Sequence, residues 1–169
     1  EKISIEPGDR IGLVGANGVG KTTLLKLLSG LLELEEGTIS VSSKATIAYV
    51  SQLDMPNAKT LPGKYASIFG VNPFWDDHMS GGEKTRFKLA EGFSKNASLL
   101  LVDEPTNNLD LEGIELVTTL FTQQASSYLL VSHNRFFLDE VCNQIWEIEQ
   151  GKLNCYTGNY SQYLQQKEI

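Results

Sequence analysis

Cysteine, histidine and methionine occur twice each and proline five times in 169 residues, and each scarcity removes a class of protein. Cys142 and Cys155 form no CxxC pair and fall in no metal-ligand spacing, which excludes a disulfide scaffold and a zinc cluster. Both are expected to be small, largely buried thiols in a reducing cytosol. No apolar run approaches the roughly 18 residues that would span a bilayer, and no charged-then-apolar leader opens the chain. Direct membrane insertion is therefore not expected, and the expected location is cytoplasmic. Basic residues are outnumbered, 14 Lys and Arg against 21 Asp and Glu, for a formal charge of -7. A surface that grips nucleic acid needs concentrated positive charge, so any RNA partner is expected to be held mainly by something other than this domain. What remains is 41% hydrophobic and 21% charged, the composition of an ordinary globular α/β domain, and the length fits one domain over residues 1–169. Glu1 is not a natural start and residues 2–6 already alternate like a strand, so upstream sequence is expected.

The pattern along the chain alternates strands with helices. Residues 10–14 read as a strand running into a glycine-rich loop, and leucines at 24, 25, 27 and 28 recur at helical spacing behind it. Residues 38–41 and 46–50 read as strands. Residues 53–79 are polar and broken by Pro56, Pro62, Gly63, Gly70 and Pro73, with one short helix expected at 64–69. A helix over 83–93, an apolar strand over 99–102, a helix over 111–124, a strand over 128–131 and a helix over 135–141 follow. Residues 145–149 and 153–156, joined through Gln150-Gly151-Lys152, read as a closing antiparallel hairpin. This is the layout of a mostly parallel, doubly wound sheet.

Three motifs carry chemistry. Gly15-Ala16-Asn17-Gly18-Val19-Gly20-Lys21-Thr22 matches the phosphate-binding loop at every fixed position, with the strand before and the helix after that the motif requires. Its glycines free backbone N–H groups to turn around phosphate oxygens, the helix N-terminus adds partial positive charge, and Lys21 adds a full one. Asn17 to Thr23 are the phosphate-binding candidates, with the Thr22 hydroxyl on Mg²⁺. Leu99-Leu100-Leu101-Val102-Asp103-Glu104 delivers two carboxylates to the end of an apolar strand, where open α/β sheets hold ligands. Asp103 suits the Mg²⁺ shell and Glu104 suits a base on the attacking water. Ser80-Gly81-Gly82-Glu83 opens a helix; it reads both as a capping box and as a second anion cradle that a phosphate-binding loop in the same chain does not need.

At these four residues the chain resembles the ATP-binding cassette (ABC) family, with Met79 where Leu is usual. The resemblance implies a P-loop NTPase fold of the ABC nucleotide-binding type: a mostly parallel sheet, an antiparallel β part and a shortened helical subdomain at residues 53–94. It implies ATP and Mg²⁺ as ligands and a head-to-tail pairing in which Ser80, Gly81 and Gly82 contact ATP on a second ABC domain, in the same polypeptide or a second copy. Gln52 resembles the family's Q-loop residue at the metal, and His133 its switch histidine at the γ-phosphate; a lone histidine after a strand is more often structural, but its place beyond the Asp-Glu strand reverses that balance. Thr106-Asn107-Asn108-Leu109-Asp110 resembles the D-loop across the dimer seam, with Asn108 where His is usual. Asn134 stands where soluble members mostly carry Asp. His78 lacks any such context and is expected to be solvated.

The short stretch between Gln52 and Ser80, the run from Asp103 to Asp110, and Ser132-His133 with Arg135-Phe136-Phe137-Leu138-Asp139 look like the ABC-F branch of tandem ATPases. Tyr156-Thr157-Gly158-Asn159-Tyr160-Ser161 looks like the approach to that branch's interdomain linker, placed at residues 157–169. Packed simply as a tyrosine-rich strand and turn, the same residues would cover the domain edge. The resemblance implies action on the ribosome through a linker beyond this chain, most like the proteins that protect ribosomes from antibiotics. The alternative is the ATPase subunit of a membrane transporter.

Overall fold

The fold was obtained as a computed structural model, which describes residues 3–34, 37, 38, 40 and 42–168. Its frame is one six-stranded sheet. The strands are β1 Arg10–Val14, β2 Ile47–Val50, β3 Leu99–Asp103, β4 Ser127–Val131, β5 Gln144–Glu149 and β6 Lys152–Thr157, in the order β2-β3-β4-β1-β5-β6. All neighbours pair parallel except β5 and β6, which form an antiparallel hairpin. Its turn holds both Gln150 and Gly151 at positive φ, 51° and 72°, as a two-residue hairpin turn of matching twist requires.

The central strands are apolar throughout because both faces are covered. Ile11, Leu13, Leu101, Leu129, Val131 and Trp146 face one side with Leu25 of helix α1 Lys21–Ser29. Val50, Leu100, Val102, Tyr128, Leu130 and Ile145 face the other. That face is covered by α3 Gly81–Ser94, α4 Leu111–Thr122 and α5 Arg135–Val141, through Phe87, Phe93, Val117, Phe121, Phe137 and Leu138. Alternate residues of each strand thus feed opposite cores, the period-two consequence of the pleat. Helix α2 Gly63–Phe69 packs Ala66 and Phe69 against α3. Among the described residues it is the only helix between Gln52 and Ser80.

Most sequence-predicted elements appear within a residue or two. Residues 3–6 are an exception: they form no strand, although the Pro7-Gly8-Asp9 turn closes behind them through Asp9 N–H to Glu6 O at 3.0 Å. The alternation is present, but a strand needs a ladder partner and the described residues supply none. Lys2, with Ile39 and Val41 of the strand expected at 38–41, lies outside the described residues. Cys142 is buried as expected, whereas Cys155 faces out on the exposed side of β6. Beyond Thr157 the chain is neither strand nor turn alone but helix α6 Tyr160–Glu168. Asn159 and Gln162 begin it by exchanging side-chain to backbone hydrogen bonds at 2.8 and 3.0 Å, a capping box that a count of tyrosines does not reveal. Tyr163 is buried, stacked on Tyr160 and edge-on to Tyr156.

Candidate functional site

The phosphate-binding loop leaves β1 at Gly15, where φ is +154° and a Cβ would lie 2.8 Å from the Ile148 carbonyl oxygen on β5. Only glycine fits there. The loop then runs exposed through Asn17, Gly18 and Val19 into α1, which has no side-chain cap of its own, so its first N–H groups depend on an outside acceptor. Lys21 is buried and donates from Nζ to Gly15 O at 2.8 Å, holding its ammonium inside the loop. Thr22 and Thr23 are exposed on the first turn.

Strand β3 brings the first acid to this loop: Thr22 Oγ1 donates to Asp103 Oδ2 at 2.9 Å, across 81 positions of sequence. A hydroxyl and a carboxylate side by side suit a hard divalent cation that keeps much of its water and takes few protein oxygens, which is how Mg²⁺ is held. The next residue turns away. Glu104 has φ +54°, a left-handed conformation that costs a non-glycine residue about 1–2 kcal/mol. Its N–H donates to Val131 O at 2.8 Å. The β3·β4 ladder thereby holds the strained residue and separates the two adjacent carboxylates.

Glu104 meets His133 from the end of β4. His133 Nε2 lies 3.1 Å from Oε1, and the His133 N–H donates to Oε2 at 3.4 Å. The imidazole is not aligned for a hydrogen bond, so Oε1 is buried without a hydrogen-bond partner among the described residues. Burial pushes the Glu104 carboxyl above the ordinary glutamate value, and the positive field and N–H of His133 only partly offset this. Gln52, Glu104 and His133 line one depression of about 640 Å³ with Thr106, Asn107 and Asn108. Phe136 stands 87% exposed at its edge.

The signature residues lie elsewhere. Ser80 caps α3 by accepting from Glu83 N–H at 3.2 Å, and the Glu83 side chain answers to Ser80 N–H. Ser80, Gly81 and Gly82 line a second depression, of about 360 Å³, with Arg86, Asn108, Leu109 and Asp110. Asn108 is wedged against the two glycines; a Cβ on Gly82 would come within 2.9 Å of its carbonyl oxygen. Asn108 has φ +64°, a conformation asparagine tolerates better than most side chains, so the departure from His fits its backbone. Asn134 likewise caps α5, accepting from Phe137 N–H at 3.0 Å, and Asn serves there as well as Asp. Asp110 caps α4 by accepting from Gly113 N–H at 2.8 Å. His78 is exposed and, among the described residues, pairs with Asp76 alone.

Three residues near the site carry no motif. The Tyr49 hydroxyl on β2 is buried, and its pKa is raised by burial and by the charge of Asp103, with the Ser51 side chain beside it partly offsetting this. Lys88 and Glu91, which lie within the helix expected at 83–93 and have no assigned role there, hold the segment after Gln52. Their i, i+3 spacing is the one signal of a shared target.

A profile described as ABC transporter matches residues 2–69 and 60–107, and a second of the same description matches residues 146–169. The erythromycin resistance ATP-binding protein MsrA of Staphylococcus epidermidis is 37% identical over 95% of this chain and 33% of its own length. The ribosome protection protein VmlR of Bacillus subtilis is 38% identical over 98% of this chain and 31% of its own. The chain thus spans about a third of the length of the curated relatives it matches. Among solved structures, the archaeal ribosome recycling factor aABCE1, in complex with the stalk protein aP1, superposes with a TM-score of 0.78 at 26% identity. That match covers 97% of this chain and 37% of that one. With the phosphate loop, the acidic strand end and the capped Ser-Gly-Gly-Glu helix in place, the chain belongs to the ATP-binding cassette family, as an ATPase domain of its ABC-F branch.

Proposed function

We propose that this chain is the first nucleotide-binding domain of a cytoplasmic tandem ATPase that binds the ribosome in its ATP form, leaves on hydrolysis, and protects the ribosome from an antibiotic. The observation that carries the ATPase part is the meeting of Glu104 with His133 at the end of the strand whose Asp103 touches Thr22. The ribosomal part is supported by the names of the two relatives, an erythromycin resistance protein and a ribosome protection protein.

In this reading Asn17 to Thr23 wrap the phosphates of ATP, with Lys21 at the β and γ groups. Thr22, Asp103 and Gln52 would hold Mg²⁺, which supplies charge neutralisation on the phosphates. Glu104 orients water and takes its proton as oxygen bonds to the γ-phosphorus and ADP departs; a carboxylate raised by burial is the better base for it. His133 donates to the γ-phosphate. The signature residues line a different depression from Gln52, Glu104 and His133, the two meeting at Asn108, and this arrangement supports a composite site. Ser80, Gly81 and Gly82 then serve ATP on the partner domain, and Asp110 lies across the seam. Residues 157–169 begin the linker toward that domain, with α6 as its docked first turns. A single short helix between Gln52 and Ser80 leaves little for a membrane subunit to grip, and no helix among the described residues is long and apolar enough to cross a membrane.

The full-length protein carrying Glu104→Gln tests this. With MgATP it is expected to co-sediment with ribosomes in a sucrose gradient, and with ADP to remain at the top. Free sedimentation in both nucleotides would overturn the ribosomal reading.

A further inference from the structure

The segment that carries Gln52 away from β2 has no regular secondary structure over residues 51–58, yet helix α3 holds it at two points. Lys88 Nζ donates to Gln52 O at 2.6 Å and reaches Asp54 O at 3.4 Å. One turn further along, both oxygens of Glu91 accept backbone N–H groups, Oε1 from Asn57 at 3.0 Å and Oε2 from Ala58 at 2.6 Å. A cation takes the carbonyls and an anion takes the amides, the charge-assisted pairing each end requires. Glu91 has been drawn out of water, and Lys88 partly so. Glu91 is 8% exposed, and burial lowers the Lys88 pKa, a cost that the nearby charges of Asp54 and Asp103 reduce. Neither residue belongs to the Ser-Gly-Gly-Glu motif, and neither lines the two depressions.

The rigid element between them gives the clip its meaning. Ser80 caps the same helix eight residues before Lys88, about 12 Å along the axis at 1.5 Å per residue. Gln52 faces this chain's own Glu104 and His133, while Ser80, Gly81 and Gly82 face the other depression. We propose that Lys88 and Glu91 are positioning residues that clip the Gln52 segment to the signature helix, so that the parts serving this chain's phosphate loop and those serving its partner's move together. The proposal rests on the ATPase reading given above. Binding of ATP at one composite site would then set the position of Gln52 or Ser80 at the other through a helix rather than through a loop.

Steady-state phosphate release by the full-length protein tests it. Lys88→Met is expected to lower kcat about tenfold with the KM for MgATP within about twofold of wild type, because the phosphate loop itself is untouched. Lys88→Arg should restore most of the rate, since a guanidinium can also donate to two carbonyls. In a Gln52→Ala background Lys88→Met should add nothing, since both act through one side chain. Wild-type kcat in Lys88→Met, or an equal slowing in both backgrounds, would overturn the proposal. Absence of any phosphate release by the wild-type protein would sink the ATPase reading instead, and amide exchange then judges the clip. Exchange at Asn57 and Ala58 should rise about tenfold in Glu91→Ala; unchanged protection would overturn it.

Discussion

Replacing Glu104 by Gln separates three properties that the structure joins in one side chain. The substitution keeps shape and backbone: φ +54° is as unfavourable for Gln as for Glu, so the left-handed strain cancels between variant and wild type. The amide oxygen can still accept the His133 N–H. What disappears is the base. A positioned general base contributes about 10²–10⁴-fold, equal to about 2.7–5.4 kcal/mol of barrier, so phosphate release by the full-length protein should fall by that factor while MgATP affinity stays within about twofold. Stability should move in the opposite direction. Burial raises the Glu104 pKa above the ordinary glutamate value, so the folded state binds this proton more tightly than the unfolded chain does. The stabilisation is complete below the unfolded value and is lost as pH rises through the folded one. At pH 7 the wild type therefore carries a buried carboxylate whose Oε1 lacks a hydrogen-bond partner among the described residues, and Glu104→Gln should be the more stable protein. Its advantage should shrink toward pH 5. Urea denaturation at both pH values together with a phosphate-release assay checks this. A variant retaining more than about a tenth of the wild-type rate, or less stable than wild type at pH 7, would refute the reasoning.

Other outcomes follow from single contacts. Gly82→Ala would push a Cβ to 2.9 Å from the Asn108 carbonyl oxygen; hydrolysis by the tandem protein should fall at least about tenfold, with ATP binding to the isolated domain unchanged in a fluorescent-nucleotide titration. Leu101→Ala, on the central strand β3 and fully buried, should cost about 2–5 kcal/mol in urea denaturation. Glu147 is buried on β5, accepts from Tyr163 and Lys167 of α6, and is pushed up by burial but brought net below the usual carboxylate range by those hydrogen bonds and the Lys167 charge. Its contribution is present above the unfolded glutamate value and is lost as pH falls through its depressed one. Tyr163→Phe should therefore loosen α6, read as faster amide exchange there at pH 7, with the difference from wild type narrowing in acid.

Much of the site was legible because its signals are local. The glycine spacing of residues 15–22, the apolar run into Asp103-Glu104 and the Ser80 to Glu83 box each state their own backbone requirement, and the structure meets each one. The strands were legible because both faces are buried, leaving apolar runs between turn residues. What escaped depends on distant partners. Residues 3–6 alternate like a strand, but alternation does not provide a neighbour to pair with. Lys88 and Glu91 are two charges in a mixed charged and apolar helix until the segment after Gln52 folds onto them. The strain at Glu104 arises from the ladder to Val131, 27 positions away by number, which no local pattern announces. Asn159-Tyr160-Ser161-Gln162 did contain a capping box, hidden because the tyrosines drew the reading toward a strand.

The central claim is that this domain supplies one set of parts to two different ATP sites. Placing Asp at Gly82 in the full-length protein tests it most directly, because a carboxylate there repels a phosphate held by the partner without touching Lys21 or Thr22. Two quantities are measured: phosphate release by the tandem protein and ATP binding to the isolated domain. The account predicts that hydrolysis collapses while the isolated domain binds ATP as the unaltered one does. Loss of binding in the isolated domain, or undiminished hydrolysis in the tandem protein, would contradict it.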